Sequence, residues 1–271
     1  MYYGLLGLAS KKGASYGTLT TAWITATGET DTTILGALNT LENDLTTYGL
    51  TSKIKALYPF VGGTATKHKF NFMDARDLDA AYRLIFNGGW THSSTGALPN
   101  GTNGYADTKF NPTLALSSIS SQHLSFYTPT NTGLDGRYDI AGYSNYPNEI
   151  CALQTRNNST TTTGYIGSFS SIINGSNTNF TGFFIVSRTS STLMKLYRNS
   201  NFLGSYTGNT TTSANCNLYI AAVSASNTFG GNQTNREVRF ASLGDGLNDT
   251  EAANFYTAVQ AFQTTLSRQV I

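Results

Sequence analysis

Phe180-Thr-Gly-Phe-Phe-Ile-Val-Ser-Arg188, Thr192-Leu-Met-Lys-Leu-Tyr-Arg198 and Phe202-Leu-Gly-Ser-Tyr206 are the runs whose reading decides the fold. Two apolar, β-favouring runs and a shorter third are separated by Thr189–Ser191 and Asn199–Asn201, both small polar turns. Side chains alternate across a strand. Leu193, Lys195 and Tyr197 therefore share one face, and Thr192, Met194, Leu196 and Arg198 the other. Phe183 to Val186 is unbroken apolar sequence, the pattern of a strand covered on both sides. The stretch predicts an antiparallel meander inside a two-sheet sandwich.

Working outward, the same signals recur from Tyr82 onward. Asn87-Gly88, Asn100-Gly101, Asn103-Gly104 and Asn174-Gly175 are tight-turn dipeptides. Between such turns the spacing predicts strands at Tyr82–Phe86, Gly104–Thr108, His123–Tyr127, Tyr138–Gly142, Ile150–Thr155, Tyr165–Phe169, Cys216–Val223 and Glu237–Leu243. Regular short strands with almost no internal helix predict one mainly β sandwich. A helix closes it. Asn248 and Glu251 form a capping-box pair, and Phe255, Val259, Phe262 and Leu266 form an apolar stripe that predicts docking on the sandwich. Arg268 suits the negative end of that helix.

Upstream, Met1 to about Thr27 is rich in Gly, Ser and Thr and reads as an extended arm. Asp31 starts a helix, capped by Thr30 or Asp31, whose Ile34, Leu38, Leu41 and Leu45 lie on one face, and Gly49 stops it. Shorter helical pieces are predicted at Ser52–Leu57 and Arg76–Ala81. Two organisations follow for the stripe Ile34/Leu38/Leu41/Leu45: it packs on the sandwich edge, or it meets a copy of itself or a neighbouring protein. The expected division is residues 1–80 as arm and attachment or oligomerisation region, and residues 81–271 as sandwich plus helix. Inter-chain contact is expected to use the N-terminal helix more than the C-terminal one.

The chain has 271 residues, enough for a sizeable core. Charged residues make up 12% of it, about half the ~25% of ordinary soluble domains. Thr, Ser, Asn and Gly fill the difference, as in a β protein with many polar loops. A net charge of +2, with Lys11-Lys12 as the one basic run, argues against nucleic acid. No apolar run approaches the ~20 residues of a membrane span. Met1–Leu8 is too short for a signal-peptide core and its lysines follow it, so the expected place of synthesis is the cytoplasm. Cys151 and Cys216 do not form a metal spacing and read as reduced core thiols, with a bridge across the sandwich as the alternative.

Candidate chemistry is sparse, and no cofactor is expected. None of the predicted strands carries the closely alternating carboxylates of a glycosidase, and Asp135 and Asp139 read as a solvated pair. His68, His92 and His123 are far apart and read as structural. Asp245, Asn248 and Asp249 have the oxygen density of a calcium loop, although a glycine turn into a helix cap explains them as well. Tyr143, Tyr146, Tyr165 and Tyr206 are set among Asn, Ser, Thr and Gly. Rings with amide and hydroxyl neighbours suit a sugar-binding surface, and they also suit a half-buried β protein.

Two resemblances add to these readings. Arg188, Leu196-Tyr197 and Asn199, followed by a short return strand, resemble the concanavalin A-like, laminin G-like jelly-roll family, as does Leu247-Asn-Asp-Thr-Glu251 before the last helix. Ser200 stands where that family usually has Gly. Tyr58–Thr64, His68–Asn71, Asp74–Ala81 and Phe86–Tyr105 resemble a segment in virion and tail-associated proteins of bacteriophages infecting Bacteroidota, where it precedes a laminin G-like sandwich. The resemblance implies a virion protein: a spike, fibre or baseplate component displaying a lectin-like sandwich. Its implied partners are other virion proteins, copies of itself (a trimer, by analogy) and host-surface glycan. A ligand-free decoration protein and a polysaccharide-degrading enzyme are the alternatives.

Overall fold

The computed structural model describes residues 15–270. Helices α1 (Thr18–Thr27) and α2 (Thr32–Thr47) lead into strand β1 (Ile54–Tyr58) and the one-turn helix α3 (Ala65–His68). Short strands follow: β2 (Ile85–Asn87), β3 (Trp90–Ser93), β4 (Gly96–Pro99) and β5 (Tyr105–Asp107), then helix α4 (Pro112–Ala115) and β6 (Gln122–Thr128). One meander comprises β7 (Ile140–Asn145), β8 (Glu149–Asn158), β9 (Thr161–Gly167) and β10 (Ile172–Ser176). A second comprises β11 (Gly182–Ser190), β12 (Leu193–Arg198) and β13 (Asn201–Tyr206). The chain ends in β14 (Tyr219–Ile220), β15 (Val223–Ala225), β16 (Thr228–Phe229), β17 (Phe240–Gly244) and helix α5 (Asp249–Thr265).

Two sheets stack. A six-stranded antiparallel sheet has the order β1-β17-β6-β11-β12-β13. The other has nine strands: β10-β9-β8-β7-β14-β5-β2, with β15 running parallel on β7 and β16 beside it. The strands β3 and β4 form a separate hairpin. The architecture is the predicted one: mainly β, two antiparallel sheets, helices at the N-terminal side and at the end.

The unbroken run in β11 is covered on both sides. Phe184 and Val186, with Met194 and Leu196 of β12, enter the core between the sheets beside Phe126, Leu153 and Ile166. Phe183 and Ile185, with Tyr197, point the other way and meet Phe240 and the helices. Each fully buried side chain of this size contributes roughly 1.5–3 kcal/mol. The sheets approach closely at Gly164, where an added Cβ would lie 2.6 Å from Val186 Cγ2. Arg188 crosses this gap fully buried. Its Nε and one terminal nitrogen donate to the Ile166 carbonyl at 3.1 and 2.8 Å, and the other nitrogen donates to Ser191 O at 3.0 Å. Burial pushes its pKa down, because no counter-charge accompanies it.

Helices α2 and α5 cover the outer face of the six-stranded sheet. Asp31 Oδ1 accepts from the Thr33 and Ile34 amides, as a cap should. The Asn248/Glu251 capping box is complete, and Phe255, Val259 and Phe262 are buried with Leu266 partly so. Leu38, Leu41 and Leu45 are fully buried in the same cluster, and Ile34 lies at its rim. This corrects the assembly reading of Ile34, Leu38, Leu41 and Leu45: the stripe docks on α5 within its own chain.

Other expectations change for identifiable reasons. Residues 18–27, expected to be extended, form α1, and residues 1–14 of that arm lie outside the described residues. The cap of α1 is not local: the Glu42 carboxylate on α2 accepts from the Leu19 and Thr20 amides and from Thr20 Oγ1. Trp23 is fully buried beneath it. Ser52–Leu57 is a turn and most of β1, not a helix. Ala56 and Tyr58 face the inter-sheet core while Ile54 and Leu57 face the helices, so both sides are apolar. Since β1 pairs with β17, the boundary expected at 80/81 cuts through the sandwich. Of Arg76–Ala81 only Asp79–Ala81 is helical, as a single 3₁₀ turn. The predicted strand Cys216–Val223 is broken at Ala221, whose φ is 71°.

Arg268 does not serve the helix dipole. It is 4% exposed beyond the helix and donates to the carbonyls of Phe60 (2.8 Å), Pro59, Thr95 and Arg239 (each 3.2 Å), clasping the chain end to β1 and the β3–β4 hairpin. Burial pushes its pKa down to about 9. Cys151 and Cys216 are buried and free. The Cys151 thiol lies 3.1 Å from Gln122 Oε1 and 3.2 Å from Ser213 Oγ.

Candidate functional site

Alternation on β7, β8 and β9 sends Ile140, Cys151, Leu153 and Ile166 inward. It sends Ala141, Tyr143, Ile150, Ala152 and Tyr165 to the outer face of the nine-stranded sheet. There the floor is small: Ala141, Ile150, Ala152 and Val223 are buried under Tyr138, Tyr143, Tyr165 and Phe169. Tyr165 stands between Ala152 and Ile172 in register, so its ring has room to lie over the strand beside it.

Phe169 is the hub of the rings. It sits edge-on to Tyr146 at 4.8 Å and to Tyr143 at 6.4 Å, and tilted to Tyr165 at 5.7 Å. Its amide donates to Pro147 O at 3.0 Å, joining its turn to the β7–β8 turn that carries Tyr146. Tyr146 is 69% exposed. Edge-to-face rings at these separations hold one another in place. Burial raises the pKa of Tyr165 and pushes that of Tyr138 up to about 12, so both hydroxyls stay protonated at neutral pH and can donate or accept. Asn174, Thr163 and Gln154 stand side by side on β10, β9 and β8; Thr163 and Gln154 are buried, Asn174 is exposed, and Thr163 Oγ1 donates to Asn174 Oδ1 at 2.8 Å.

Three of the four tyrosines singled out by sequence, Tyr143, Tyr146 and Tyr165, meet here. Tyr206 does not. It pairs with Met194 at the end of β13 and packs on the inter-sheet core. Sequence reasoning missed Tyr138 and Phe169. For Phe169 a signal existed, since Tyr165 and Phe169 share strand parity.

The calcium reading is corrected. Asp245 Oδ2 pairs with Lys55 Nζ at 3.0 Å, Asn248 caps α5, and both Asp249 oxygens meet Lys195 Nζ at 2.7 and 2.8 Å. Lysines supply the positive charge that a metal would. Among the described residues no group of His, Cys, Asp and Glu is placed to hold a metal ion. Asp139 is not solvated: it is fully buried, accepts from the Thr155 amide at 2.6 Å and faces Arg236 at 3.4 Å, while Asp135 pairs with Arg156. His68 and His92 come together, Nδ1 to Nδ1 at 2.9 Å. Burial, then the neighbouring His92 and Arg268, push the His68 pKa down to about 3. His123 lies apart, between Asp245 O at 2.7 Å and Ser242 Oγ at 2.9 Å, and burial lowers its pKa to about 4.

No family model and no curated protein matches this sequence. Among solved structures, the fold is similar to domain 4 of AbnA, an extracellular arabinanase of Geobacillus stearothermophilus, in complex with arabinotriose. The match has a TM-score of 0.52 and 14% identity over 75% of this chain and 98% of that one. Weaker likenesses include the sialidase CBM40 of Ruminococcus gnavus bound to α2,3-sialyllactose (TM-score 0.39, 9% identity, 50% and 82% covered). Another is the botulinum neurotoxin serotype D binding domain (TM-score 0.47, 10% identity, 76% of this chain and 52% of that one). The likeness to the AbnA domain shows the jelly-roll fold.

Proposed function

We propose that the protein is an adhesion module of a bacteriophage particle, binding host-surface glycan through the outer face of the nine-stranded sheet. The observation that carries the binding reading is the ring cluster Tyr138, Tyr143, Tyr146, Tyr165 and Phe169, which no helix among the described residues covers. A sugar ring has an apolar C–H face and a hydroxyl rim. Tyrosine offers the complement, an apolar ring with a polar tip, and the exposed Asn174 amide adds a hydrogen-bonding group beside it. The setting in a particle is supported by the phage-like segment between Tyr58 and Tyr105, which here builds β2 to β5 along one side of the sandwich. In the particle the chain would sit among other virion proteins and copies of itself, a trimer by the same likeness. The test is binding of the purified chain to host cells and to a glycan array, with Tyr146→Ala as the variant. Binding that the variant loses supports the reading; an intact chain that binds neither cells nor glycans refutes it.

A further inference from the structure

We propose a second saccharide site, separate from the tyrosine face: a two-hollow site for a disaccharide, built on Phe202, Lys195 and Asp249 at the edge of the six-stranded sheet. There the helix cover stops. Among the described residues β13 is the last strand of that sheet, and its Phe202 stands opposite Tyr197 of β12. Phe183, Phe240 and Phe255 are fully buried under the cover, whereas Phe202 is 57% exposed. Its ring is nonetheless held. It meets the Tyr197 ring edge-on at 6.2 Å, and Lys195 Nζ stands over it, 5.9 Å from the centroid.

The first turn of α5 supplies the third member. Asp249 accepts from Lys195 Nζ on Oδ1 at 2.7 Å and on Oδ2 at 2.8 Å, and Oδ1 also accepts from the Tyr197 hydroxyl at 2.7 Å. Lys195 and then Tyr197 hold this carboxyl below the usual range, so it is ionised at neutral pH. The cluster has capacity left. An ammonium carries three hydrogens and a carboxylate about four lone-pair sites. Lys195 keeps one hydrogen, Asp249 keeps a lone pair on Oδ2, and the Asp249 side chain is 67% exposed. A spare donor and a spare acceptor thus lie side by side next to an open ring. Adjacent sugar hydroxyls both accept and donate, and the C–H face of the same sugar suits the ring. A purely apolar ligand would strand both charges.

Two hollows of about 360 Å³ each meet at this ion pair, and Lys195 and Asp249 line both. One adds Tyr197, Ser200 and Phe202; the other adds Leu193, Leu247 and Thr250. Each is at the lower end of the ~300–1,000 Å³ range of small-molecule sites, the scale of one sugar ring. Because the pair is shared, two linked rings fill both hollows with their hydroxyls at the pair and one apolar face on Phe202. So few contacts make a weak site, with a Kd on the order of 1–10 mM. An array wash does not retain binding that weak, so array binding through Tyr146 is read without interference from it.

The experiment uses the full chain carrying Tyr146→Ala, in which the tyrosine face is disabled. It is titrated with lactose, maltose and cellobiose to about tenfold above that Kd and followed by saturation-transfer NMR. The expected result is a saturable millimolar signal with at least one of the three. Adding Phe202→Ala removes it and, since the ring is exposed, leaves the melting temperature essentially unchanged. Adding Lys195→Met instead weakens it about tenfold, the loss of one charge-assisted hydrogen bond. A signal unchanged by either substitution, or no saturable signal with any of the three, overturns the proposal and leaves the tyrosine face standing. Failure of the tyrosine face reads differently: array binding by the unsubstituted chain is then absent, or Tyr146→Ala does not alter it.

Discussion

On the outer face of the six-stranded sheet, Phe183 and Phe240 meet Phe255 of α5 at 5.2 and 6.0 Å, and Tyr127 and Tyr197 join them in a cluster sealed by the helices. On the outer face of the nine-stranded sheet, Tyr138, Tyr143, Tyr146 and Tyr165 lie around Ala141, Ile150, Ala152 and Val223, and no helix among the described residues is laid across them. The chain closes the first face with its own residues and leaves the second as finished surface. Phenylalanines demand a cover. Tyrosines, with a polar tip and an apolar body, can be the cover themselves. The difference teaches that aromatic content alone does not mark a binding face; the fate of its outer side does.

Acid should break the first face before the second. His123 lies edge-on to Phe255 under α5, and His68 is buried at the β1 end of the sandwich. Their folded pKa values, about 4 and about 3, lie below the ordinary 6.5. Their stabilising contribution is therefore full above pH 6.5 and is lost as pH falls toward 4, because the unfolded chain takes up protons that the fold refuses. Each costs about 1.4 kcal/mol per pH unit in that window, and the melting temperature should drop steeply between pH 6.5 and 4. A flat profile would show that these rings are not held neutral.

Phe255→Ala should cost about 3–5 kcal/mol in denaturant unfolding, with affinity of the folded protein for glycan unchanged. If affinity fell as well, the two faces would be coupled. Leu38→Ala should cost about 2–5 kcal/mol and leave the mass measured by light scattering the same. A loss of oligomer with little loss of stability would restore the assembly role of α2. At the smallest end, Tyr146→Ala should change stability by less than about 0.5 kcal/mol, since the side chain is exposed, while removing glycan binding. A destabilisation as large as that of Phe255→Ala would make the tyrosine face a second covered core.

What was legible in the sequence was local. The Phe180–Tyr206 meander, the Asn248/Glu251 capping box and the Leu38/Leu41/Leu45 stripe are each written within a few residues. What was not legible depended on residues far along the chain. The cap of α1 comes from Glu42, the lysines that answer Asp245 and Asp249 come from β1 and β12, and β1 is recognisable as a strand only beside β17. The candidate face divides the same way. Tyr143, Tyr146 and Tyr165 were visible as rings among polar residues. That Tyr206 turns inward follows from its register opposite Met194, which alternation within one strand does not supply.

The pairing of β1 with β17 also sets a timetable. Ile54 lies opposite Gly244, and among the described residues β1 is an edge strand whose one sheet neighbour is β17. Leu38, Leu41 and Leu45 find their cover on α5, made later still. A ribosome therefore releases the leucines of α2 and the apolar run of β1 long before their partners exist. Pairings so distant in sequence are slow to form and leave apolar surface open meanwhile. Until translation passes Thr265, the nascent chain holds a sticky helix and an unpaired strand.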